Sequence, residues 1–493
     1  MNTKALRQKI LDLAIHGKLV PQNPNDESAT VLLEKIRAEK AEKIKKGELK
    51  ADKKDSFIFV GSDKRHYEQF ADGTVKDIED EIPFEVPEGW AWCRFGNFID
   101  VRDGTHYSPK YVENGYPFVT SKNLVNGKID FTDVKYISEK DHKEYIQRSY
   151  VEDGDILFAM IGSIGNPVLV KKDREFSIKN VALFKPYSKQ LTNMKYLFYF
   201  LLWIQENLRS KAKGGMQPFI PLSFFRTEVL IPIPPSEEQF KIISNIEEIL
   251  SKIDSLEKNK IDLENIIKQA KSKILDLAIH GKLVPQDPND EPAEELLKRI
   301  ATSDNRPYEK VKEEPFEIPS TWEWIKLGDI GQTNIGLTYH PNDVSNSGIT
   351  VLRSNNIQND KLCFDDVVIV NNNTKILNNQ YINNGDILIC ARNGSQSLVG
   401  KCVLIDNLRE KTSFGAFMAV FRSNYNQYIL KYLQSKYFKD YMFESNSTQI
   451  HQLTQSMLKD ALIPFPPEKE QARIVEKIDE LYSQLNQIQN DLV

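Results

Sequence analysis

Hydrophobic residues in the middle of the chain recur in alternating steps of four and three. The positions of this seam are Ile242, Ile246, Ile249, Ile253, Leu256, Leu263, Ile267, Ala270, Ile274 and Leu277, and only Lys260 interrupts it. A seam of about five heptads predicts a long helix that pairs with another helix in a coiled coil. At 1.5 Å per residue, the helix from Ser236 to His280 would measure roughly 65–70 Å.

The two ends of the chain carry a second seam of the same kind. Its positions are Ile474, Ile478, Leu481, Leu485, Ile488 and Leu492 at one end and Leu6, Ile10 and Leu13 at the other. Between the seams, short apolar runs bounded by Gly and Asn are typical of strands. One amphipathic helix is predicted near Tyr196 and another near Tyr428. The pattern predicts an α+β fold, with two tandem mixed α+β domains separated by long helices that form an antiparallel coiled coil.

The chain is one large internal repeat. The sequence "ILDLAIHGKLVPQ" begins at Ile10 and, unchanged, at Ile274. Later blocks match in the same order, such as "FEVPEGWAW" with "FEIPSTWEW" and "IPIPPSEEQFKII" with "IPFPPEKEQARIV". A repeat of this size indicates the fold directly. It predicts two equivalent halves related by pseudo-two-fold symmetry, with 32 extra residues in the first half that read as an exposed, Lys-rich linker.

Seven segments follow from these boundaries. They are an N-terminal segment completing the distal helix pair (1–36), a charged linker (37–83), the first domain (84–235), the central helix and turn (236–300), a second linker (301–315), the second domain (316–467) and the C-terminal helix (468–493).

Composition excludes several classes of protein. The longest apolar run, Tyr196–Ile204, is about half the length of a membrane span, and the first residues do not resemble a secretory signal. Four cysteines without paired spacing indicate a reducing compartment and no zinc site. We therefore expect a cytoplasmic protein that binds no metal and no membrane.

Positive charge is concentrated in corresponding parts of the two domains, although the net charge of the chain is −5. Residues 161–231 contain eleven Lys and Arg against four Asp and Glu, and residues 392–463 contain nine against five. This distribution is consistent with contact to phosphates. Exposed charged faces unrelated to nucleic acid would give the same counts.

Polar loops of both domains contain the residue types that read base edges. The candidates in the first domain are Arg102, Thr105, His106, Lys110, Ser121, Lys122, Asn123, Lys179 and Gln217. Those in the second are Arg353, Asn355, Asn356, Arg392 and Gln449. Each of these loops, taken singly, is equally compatible with an ordinary turn.

The thirteen identical residues end a helix in each copy. Gly17 and Gly281 occupy the position where glycine terminates a helix, and a proline follows each. His16 and His280 most simply bind carbonyls of the last turn. Helix termination needs only the glycine, so complete identity suggests a partner surface presented twice, formed by His16, Lys18, His280 and Lys282.

The motifs of several enzyme classes are missing from the sequence. It contains no phosphate-binding Gly-x-x-x-x-Gly-Lys-Ser/Thr loop, no Gly-x-Gly-x-x-Gly and no Asn/Asp-Pro-Pro-aromatic motif of amino-methyltransferases. Its seven histidines show no metal-ligand spacing. We therefore predict a binding protein without its own active site.

The order and duplication of these blocks resemble the specificity (S) subunits of type I restriction-modification enzymes. The matching features are the two tandem domains, "GDILFAMIGSIGN" and "GDILICARNGS", the Pro-Pro lead-ins to long helices, and the duplicated "LDLAIHGKLVPQ". The resemblance implies that each domain recognises one half of a bipartite site in double-stranded DNA, with an unread spacer between the halves.

The resemblance also implies partners. Two methyltransferase (M) subunits would dock on the chain, and two restriction/translocase (R) subunits can join them. S-adenosylmethionine, ATP and Mg²⁺ would then be bound by those subunits, for adenine-N6 methylation and ATP-dependent cleavage, with no cofactor on this chain. The alternative is an elongated coiled-coil scaffold whose domains bind proteins or glycans; a fused enzyme is a weaker third reading because the motifs are missing.

Overall fold

The protein is described by a computed structural model that covers residues 2–52, 54–213, 218–304, 310–408, 410–444 and 452–492. The chain forms two compact units, 1–258 (unit 1) and 259–493 (unit 2), and the boundary falls inside one long helix. Each unit is described by itself below.

Unit 1 contains helices α1 to α6 and the first part of α7. Their bounds are α1 Thr3–Ile15, α2 Ala29–Lys45, α3 Phe95–Phe98, α4 Glu139–Ser149, α5 Met194–Ser210, α6 Leu222–Thr227 and α7 Ser236–Ile279. The strands are β1 Ser56–Val60, β2 His66–Phe70, β3 Val75–Asp77, β4 Ala91–Arg94, β5 Ile99–Asp103, β6 Tyr116–Val119, β7 Leu124–Val125, β8 Lys128–Ile129, β9 Lys135–Ile137, β10 Ile156–Ala159, β11 Gly165–Leu169, β12 Ser177–Ile178, β13 Val181–Pro186 and β14 Leu230–Ile233.

Unit 2 contains the rest of α7 and six further helices within the described residues. They are α8 Ala293–Asp304, α9 Leu327–Ile330, α10 Asn426–Gln434, α11 Lys436–Glu444, α12 Gln455–Asp460 and α13 Glu468–Asp491. The strands are β15 Glu323–Lys326, β16 Gln332–Ile335, β17 Val344–Leu352, β18 Ile357–Gln358, β19 Lys361–Leu362, β20 Val368–Val370, β21 Ile387–Cys390, β22 Cys402–Leu404, β23 Thr412–Phe414, β24 Met418–Arg422 and β25 Leu462–Phe465.

The two units share one sheet topology. A four-stranded antiparallel sheet has the order β11-β10-β13-β5 in unit 1 and β22-β21-β24-β16 in unit 2. Beside it lies a three-stranded sheet with one parallel pair, β12 with β6 and β23 with β17. A two-stranded pair closes each domain, β14 with β4 and β25 with β15. The predicted repeat and the mixed α+β class are confirmed.

The central strand of each main sheet is buried on both faces. In β10, Ile156 and Phe158 enter one hydrophobic cluster, while Leu157 and Ala159 enter another. This follows from the two-residue period of a strand, which sends successive side chains to opposite faces. In β21 the alternate residues also divide between two clusters. The run "DIL" at the start of each strand therefore marks the centre of each domain.

In unit 1, α1 runs antiparallel to α7. The Arg7 guanidinium, near the start of α1, lies 2.5 Å from the Asp254 carboxylate of α7. Gln22, which follows α1, lies 3.1 Å from Glu238 at the beginning of α7. The contacts thus move towards the beginning of α7 as the chain proceeds along and beyond α1, which defines the antiparallel arrangement.

Unit 2 repeats this antiparallel arrangement with α13. The Lys271 amine donates to Asn486 at 2.6 Å, and the Gln286 amide, beyond α7, donates to Glu470 at 2.7 Å. The predicted seam is interrupted at Leu256, whose side chain is 51% exposed.

The charged linker predicted at 37–83 is corrected by the structure. Helix α2 continues to Lys45, and β1, β2 and β3 form an antiparallel sheet that unit 2 does not contain within its described residues. Buried ion pairs hold these elements: the Arg94 guanidinium binds Glu68 at 2.8 Å, and the Lys40 amine binds Asp55 at 2.7 Å. In the sequence, these charged residues resemble a solvated linker because the residues that pair with them are not their sequence neighbours.

The second linker, 301–315, is partly helical. Helix α8 extends to Asp304, and residues 305–309 lie outside the described residues. The amphipathic helix predicted near Tyr196 is the single helix α5, whereas its counterpart near Tyr428 is divided at Ser435 into α10 and α11.

Candidate nucleic-acid interface

Three of the predicted base-reading residues of unit 2 line one groove. Arg353 and Asn355 belong to the turn after β17, and Arg392 follows β21. The groove has a volume of about 1060 Å³, and Tyr339 and Phe417 also line it. Residues far apart in the sequence thus present two guanidinium groups and an amide to the same open space.

An acidic side chain organises this groove. The Asp366 carboxylate accepts hydrogen bonds from the Arg353 guanidinium at 3.2 Å and from the Asn355 amide at 2.6 Å. Asp366 itself is 76% exposed, so the cluster faces solvent. A carboxylate that orients an arginine leaves other donors of the guanidinium available for a base edge or a phosphate.

The corresponding loops of unit 1 bring together Thr105, His106 and Lys179. Thr105 and Lys179 form a parallel bridge, as Leu337 and Gly415 do in unit 2. The His106 ring lies between the Asp103 carboxylate at 2.9 Å and the Asn180 amide oxygen at 2.8 Å. The ring is therefore held in one orientation on a surface loop.

Arg148 and Ser108 complete this part of unit 1. Asp103 is buried and also accepts a hydrogen bond from Arg148 of α4. The Lys179 amine donates to the Ser108 hydroxyl. A basic group, an imidazole and hydroxyls thus share one loop surface, which suits contact with nucleic acid.

Two of the predicted base-reading residues are structural. Asn123 and Asn356 are buried, and each accepts from the backbone N–H three residues earlier while donating to two carbonyls. Each amide oxygen caps the start of its own short helical turn, at residues 121–123 and 354–356, and each amide nitrogen binds carbonyls 7 and 10 residues later. They are therefore unavailable to bases, and the prediction is wrong for these side chains because an asparagine that folds a turn has the same sequence signature as one that reads a base.

Other predicted positions have different outcomes. Arg102 is held by Asp100 of its own strand at 2.7 Å, and Arg102 lines a separate cavity of about 660 Å³ with Arg148. Lys110 and Lys122 are exposed, and Ser121 is half-buried. Gln217 and Gln449 lie outside the described residues.

The basic excess seen in the sequence is partly neutralised within each unit. The Lys185 amine binds Asp155 at 2.6 Å, and Arg422 binds Asp386 at 3.1 Å. Burial raises the pKa of Asp386 and of Asp155, although both have a cationic partner. Such paired charges are engaged within each domain, whereas Arg392 is exposed.

Tyr107, Asp366 and Phe417 also belong to these two surfaces, although the sequence pattern did not single them out. The Tyr107 side chain is 78% exposed and the Phe417 side chain 62% exposed. A signal for Tyr107 was present, because Gly-x-x-Tyr-x-Pro occurs at the corresponding place in both domains, as "GTHYSP" and "GLTYHP". Phe417 occupies an extra position in the turn before β24, so aligning the two copies does not reveal it.

Each copy of the duplicated thirteen residues contributes its last residue, a glutamine, to a second candidate site. We call this site, which joins the glutamine to a tryptophan and a glutamate, the clasp. In unit 1, the two oxygens of Glu238 accept hydrogen bonds from the Trp90 indole at 3.0 Å and the Gln22 amide at 3.1 Å. In unit 2, Glu470 accepts from Trp322 at 3.0 Å and from Gln286 at 2.7 Å. Burial raises the pKa of Glu238 and of Glu470.

Internal packing accounts for much of the identity between the two copies. His16 and His280 each donate a ring N–H to the backbone carbonyl four residues earlier, as predicted, and each ring centroid lies 3.9 Å from that of a phenylalanine. Gly17 and Gly281 both have φ of +65°, and a Cβ there would lie 2.3 Å from a proline ring. Of the four residues predicted to contact a partner, Lys18 and Lys282 are exposed and the histidines are half-buried.

The described residues contain neither a candidate metal site nor a helix that could span a membrane. No group of His, Cys, Asp and Glu in that part of the chain could hold a metal ion. Among the helices described there, none is long and apolar enough to cross a membrane.

Comparison with known proteins identifies the family. The model of the type I restriction modification DNA specificity domain matches residues 87–265 and 319–492. The specificity subunit of the Escherichia coli type I restriction enzyme EcoAI is 29% identical, over 98% of this chain and 90% of that protein. That of the E. coli enzyme EcoEI is 27% identical, over 99% of this chain and 90% of its own length.

Solved structures share the fold. A chain from a study of complex assembly and conformational transition of the type I R-M system has a TM-score of 0.54 at 20% identity, covering 83% of this chain and 94% of its own. The HsdS subunit from Thermoanaerobacter tengcongensis has a TM-score of 0.50 at 18% identity, covering 84% and 94%. Since the domain model matches well over half of the residues in two tandem copies, the chain belongs to the specificity subunits of type I restriction-modification systems, non-catalytic proteins with two recognition domains.

Proposed function

We propose that this chain is the DNA-reading subunit of its complex, and that each recognition domain binds one half of a bipartite site in double-stranded DNA. The observation that carries the proposal is the groove of unit 2, where Arg353, Asn355 and Arg392 face one open space. Guanidinium and amide groups are the side chains that most often read base edges in the major groove. The loops of unit 1 hold Thr105, His106 and Lys179 at the corresponding place.

We further propose that two methyltransferase subunits dock on the helices, one for each half of the repeat. Helix α7 carries exposed apolar side chains: Phe240 is 61%, Leu256 51%, Ile261 58% and Ile266 58% exposed. Exposed apolar residues along a helix favour packing against partner helices. Lys18 and Lys282, at corresponding places in the repeat, would lie at the edges of these contacts. S-adenosylmethionine, ATP and Mg²⁺ then belong to the methyltransferase and the two restriction subunits, and all subunits act in the cytoplasm.

Binding to DNA, measured over a series of salt concentrations with the methyltransferase partner present, tests the proposal. We expect the logarithm of the association constant to fall linearly with the logarithm of salt concentration, because binding to phosphates releases counterions. Arg392→Ala should weaken binding to the specific site by about 1–3 kcal/mol. Lys469→Ala, at an exposed position on α13, makes the same change of charge outside the groove and serves as the control.

Two results would contradict the proposal. One is binding of duplex DNA that does not depend on salt or on base sequence. The other is a change in both halves of the methylated motif when residues 84–235 alone are exchanged for the matching domain of a relative. Preferential binding to a protein or a glycan would instead support the scaffold alternative.

A further inference from the structure

Phe417 is a strongly exposed aromatic residue that lies inside the groove of unit 2. Its side chain is 62% exposed, and among the exposed large apolar side chains of the described residues only Tyr107 exceeds it. Tyr107 belongs to the loop surface of unit 1 that contains His106. Each recognition domain therefore presents its most exposed aromatic ring beside its candidate base-reading residues.

The position of Phe417 is fixed by its backbone. The Phe417 carbonyl accepts hydrogen bonds from the N–H groups of Ala391 at 2.9 Å and of Arg392 at 3.0 Å. Met418 N–H donates to the Gly415 carbonyl at 2.8 Å, which closes a β-turn with Phe417 at its third position. The ring is thus presented by a rigid turn and does not depend on a long mobile loop.

The surroundings of the ring are polar and cationic. The Arg392 guanidinium carbon lies 5.6 Å from the ring centroid, and Arg353 and Asn355 line the same groove. An apolar protein partner would bury these charged groups at a high cost. The major-groove edge of a base carries hydrogen-bonding atoms, which suit the guanidinium and amide groups of the groove. Among the four bases, only thymine also has an apolar group at this edge, its C5 methyl. A thymine edge therefore suits both the ring and its polar surroundings.

We infer that Phe417 is a specificity-determining residue that contacts the 5-methyl group of a thymine in the half-site bound by the second recognition domain. This inference rests on the proposed DNA-reading function and adds the chemistry of one contact. The Asn355 amide, in the same groove, is of the type that pairs with adenine. Burial of one methyl group stabilises a complex by an amount equivalent to about fourfold in affinity.

Substitution of thymine by deoxyuridine tests the contact, because it removes only the methyl group. The methylated motif is first mapped, and the half-site of the second domain is identified as the one that persists when residues 84–235 are exchanged. Each thymine of that half-site is then replaced in turn in duplexes bound by the chain with its methyltransferase partner. We expect one replacement to weaken binding by the wild-type chain about fourfold.

The same duplexes are then used with variants of the chain. Phe417→Ala should weaken binding to the thymine duplex by at least a similar factor and should lose all sensitivity to that replacement. Phe417→Leu should keep part of the sensitivity because it retains an apolar side chain. Tyr107→Ala is the matched control: it removes the exposed ring of the other domain and should leave the effect of this replacement unchanged.

Several outcomes would overturn the inference. A half-site without thymine would do so, as would wild-type binding that no replacement weakens. Equal weakening of binding to thymine and deoxyuridine duplexes by Phe417→Ala, with wild-type sensitivity retained, would show that the ring does not contact the methyl group. Sequence-specific binding by the wild-type chain in the same assay separates these outcomes from failure of the proposed function itself.

Discussion

Single carboxylates hold neighbouring side chains in place in both copies of the repeat. In each clasp, a buried glutamate accepts hydrogen bonds through both oxygens, from an indole and from an amide. A glutamate is required because both neighbours are donors. In the recognition domains, Asp103 and Asp366 have a related role, since each holds side chains that face the candidate DNA surface.

Replacement of Glu238 by Gln should destabilise unit 1. The amide nitrogen would face either the Trp90 indole or the Gln22 amide, leaving a buried donor without an acceptor at a cost of about 1–3 kcal/mol in the free energy of unfolding. Urea denaturation followed by tryptophan fluorescence measures this loss. Glu237→Gln, at the exposed neighbouring position, is the control, and an equal effect of the two substitutions would show that the clasp contributes no stability.

At the scale of elements, α7 links the two recognition domains. It has 44 residues, which corresponds to roughly 66 Å at 1.5 Å per residue. The helix is paired within each unit by a partner that runs antiparallel to it, α1 in unit 1 and α13 in unit 2. We infer that its length sets the spacer between the two half-sites.

Insertion of four helix-forming residues after Lys258 should lengthen the spacer. The helix grows by about 6 Å, and DNA rises about 3.4 Å per base pair along its axis, so the spacer should grow by roughly one to two base pairs. Mapping of methylated adenines measures the spacer, and both half-site sequences should stay unchanged. Four residues inserted at Gly73, in the turn between β2 and β3, are the control. If the spacer stays the same after the helix insertion while methylation is complete, the length of α7 does not set the spacer.

For the whole molecule, the repeat has a further consequence. Unit 1 is compact by itself, and the first half carries the thirteen repeated residues twice, across the end of α1 and across the end of α7. A fragment that ends at Gln286 would therefore contain one recognition domain and a complete long helix. It would lack the partner helix α13, so apolar residues such as Ile267 and Leu275 of α7 would lose their cover.

Residues 1–286 should consequently form a homodimer. Each copy would supply the helix that the other lacks, in a self-complementary interface with two-fold symmetry. With the methyltransferase present, the dimer should methylate a palindrome made of the first half-site and its inverted copy. Light scattering measures the pairing and methylation mapping the site. A well-behaved monomer, or methylation at the original asymmetric target, would show that the halves are not interchangeable.

The sequence alone determined the repeat, the α+β class, the long helix and the family. These features depend on period and order: a heptad seam requires a helix, and thirteen identical residues require a copied unit. Tertiary structure decided which polar residues are available. Asn123 and Asn355 are both exposed-loop asparagines in sequence, yet one folds its own turn and the other faces a groove, because hydrogen-bond partners distant along the chain make that distinction. The sheet within 37–83 and the position of Phe417 could not be predicted from the sequence for the same reason. The sheet depends on buried ion pairs, and Phe417 lies in a turn that neighbouring segments hold in place. Neither kind of interaction leaves a periodic pattern in the sequence.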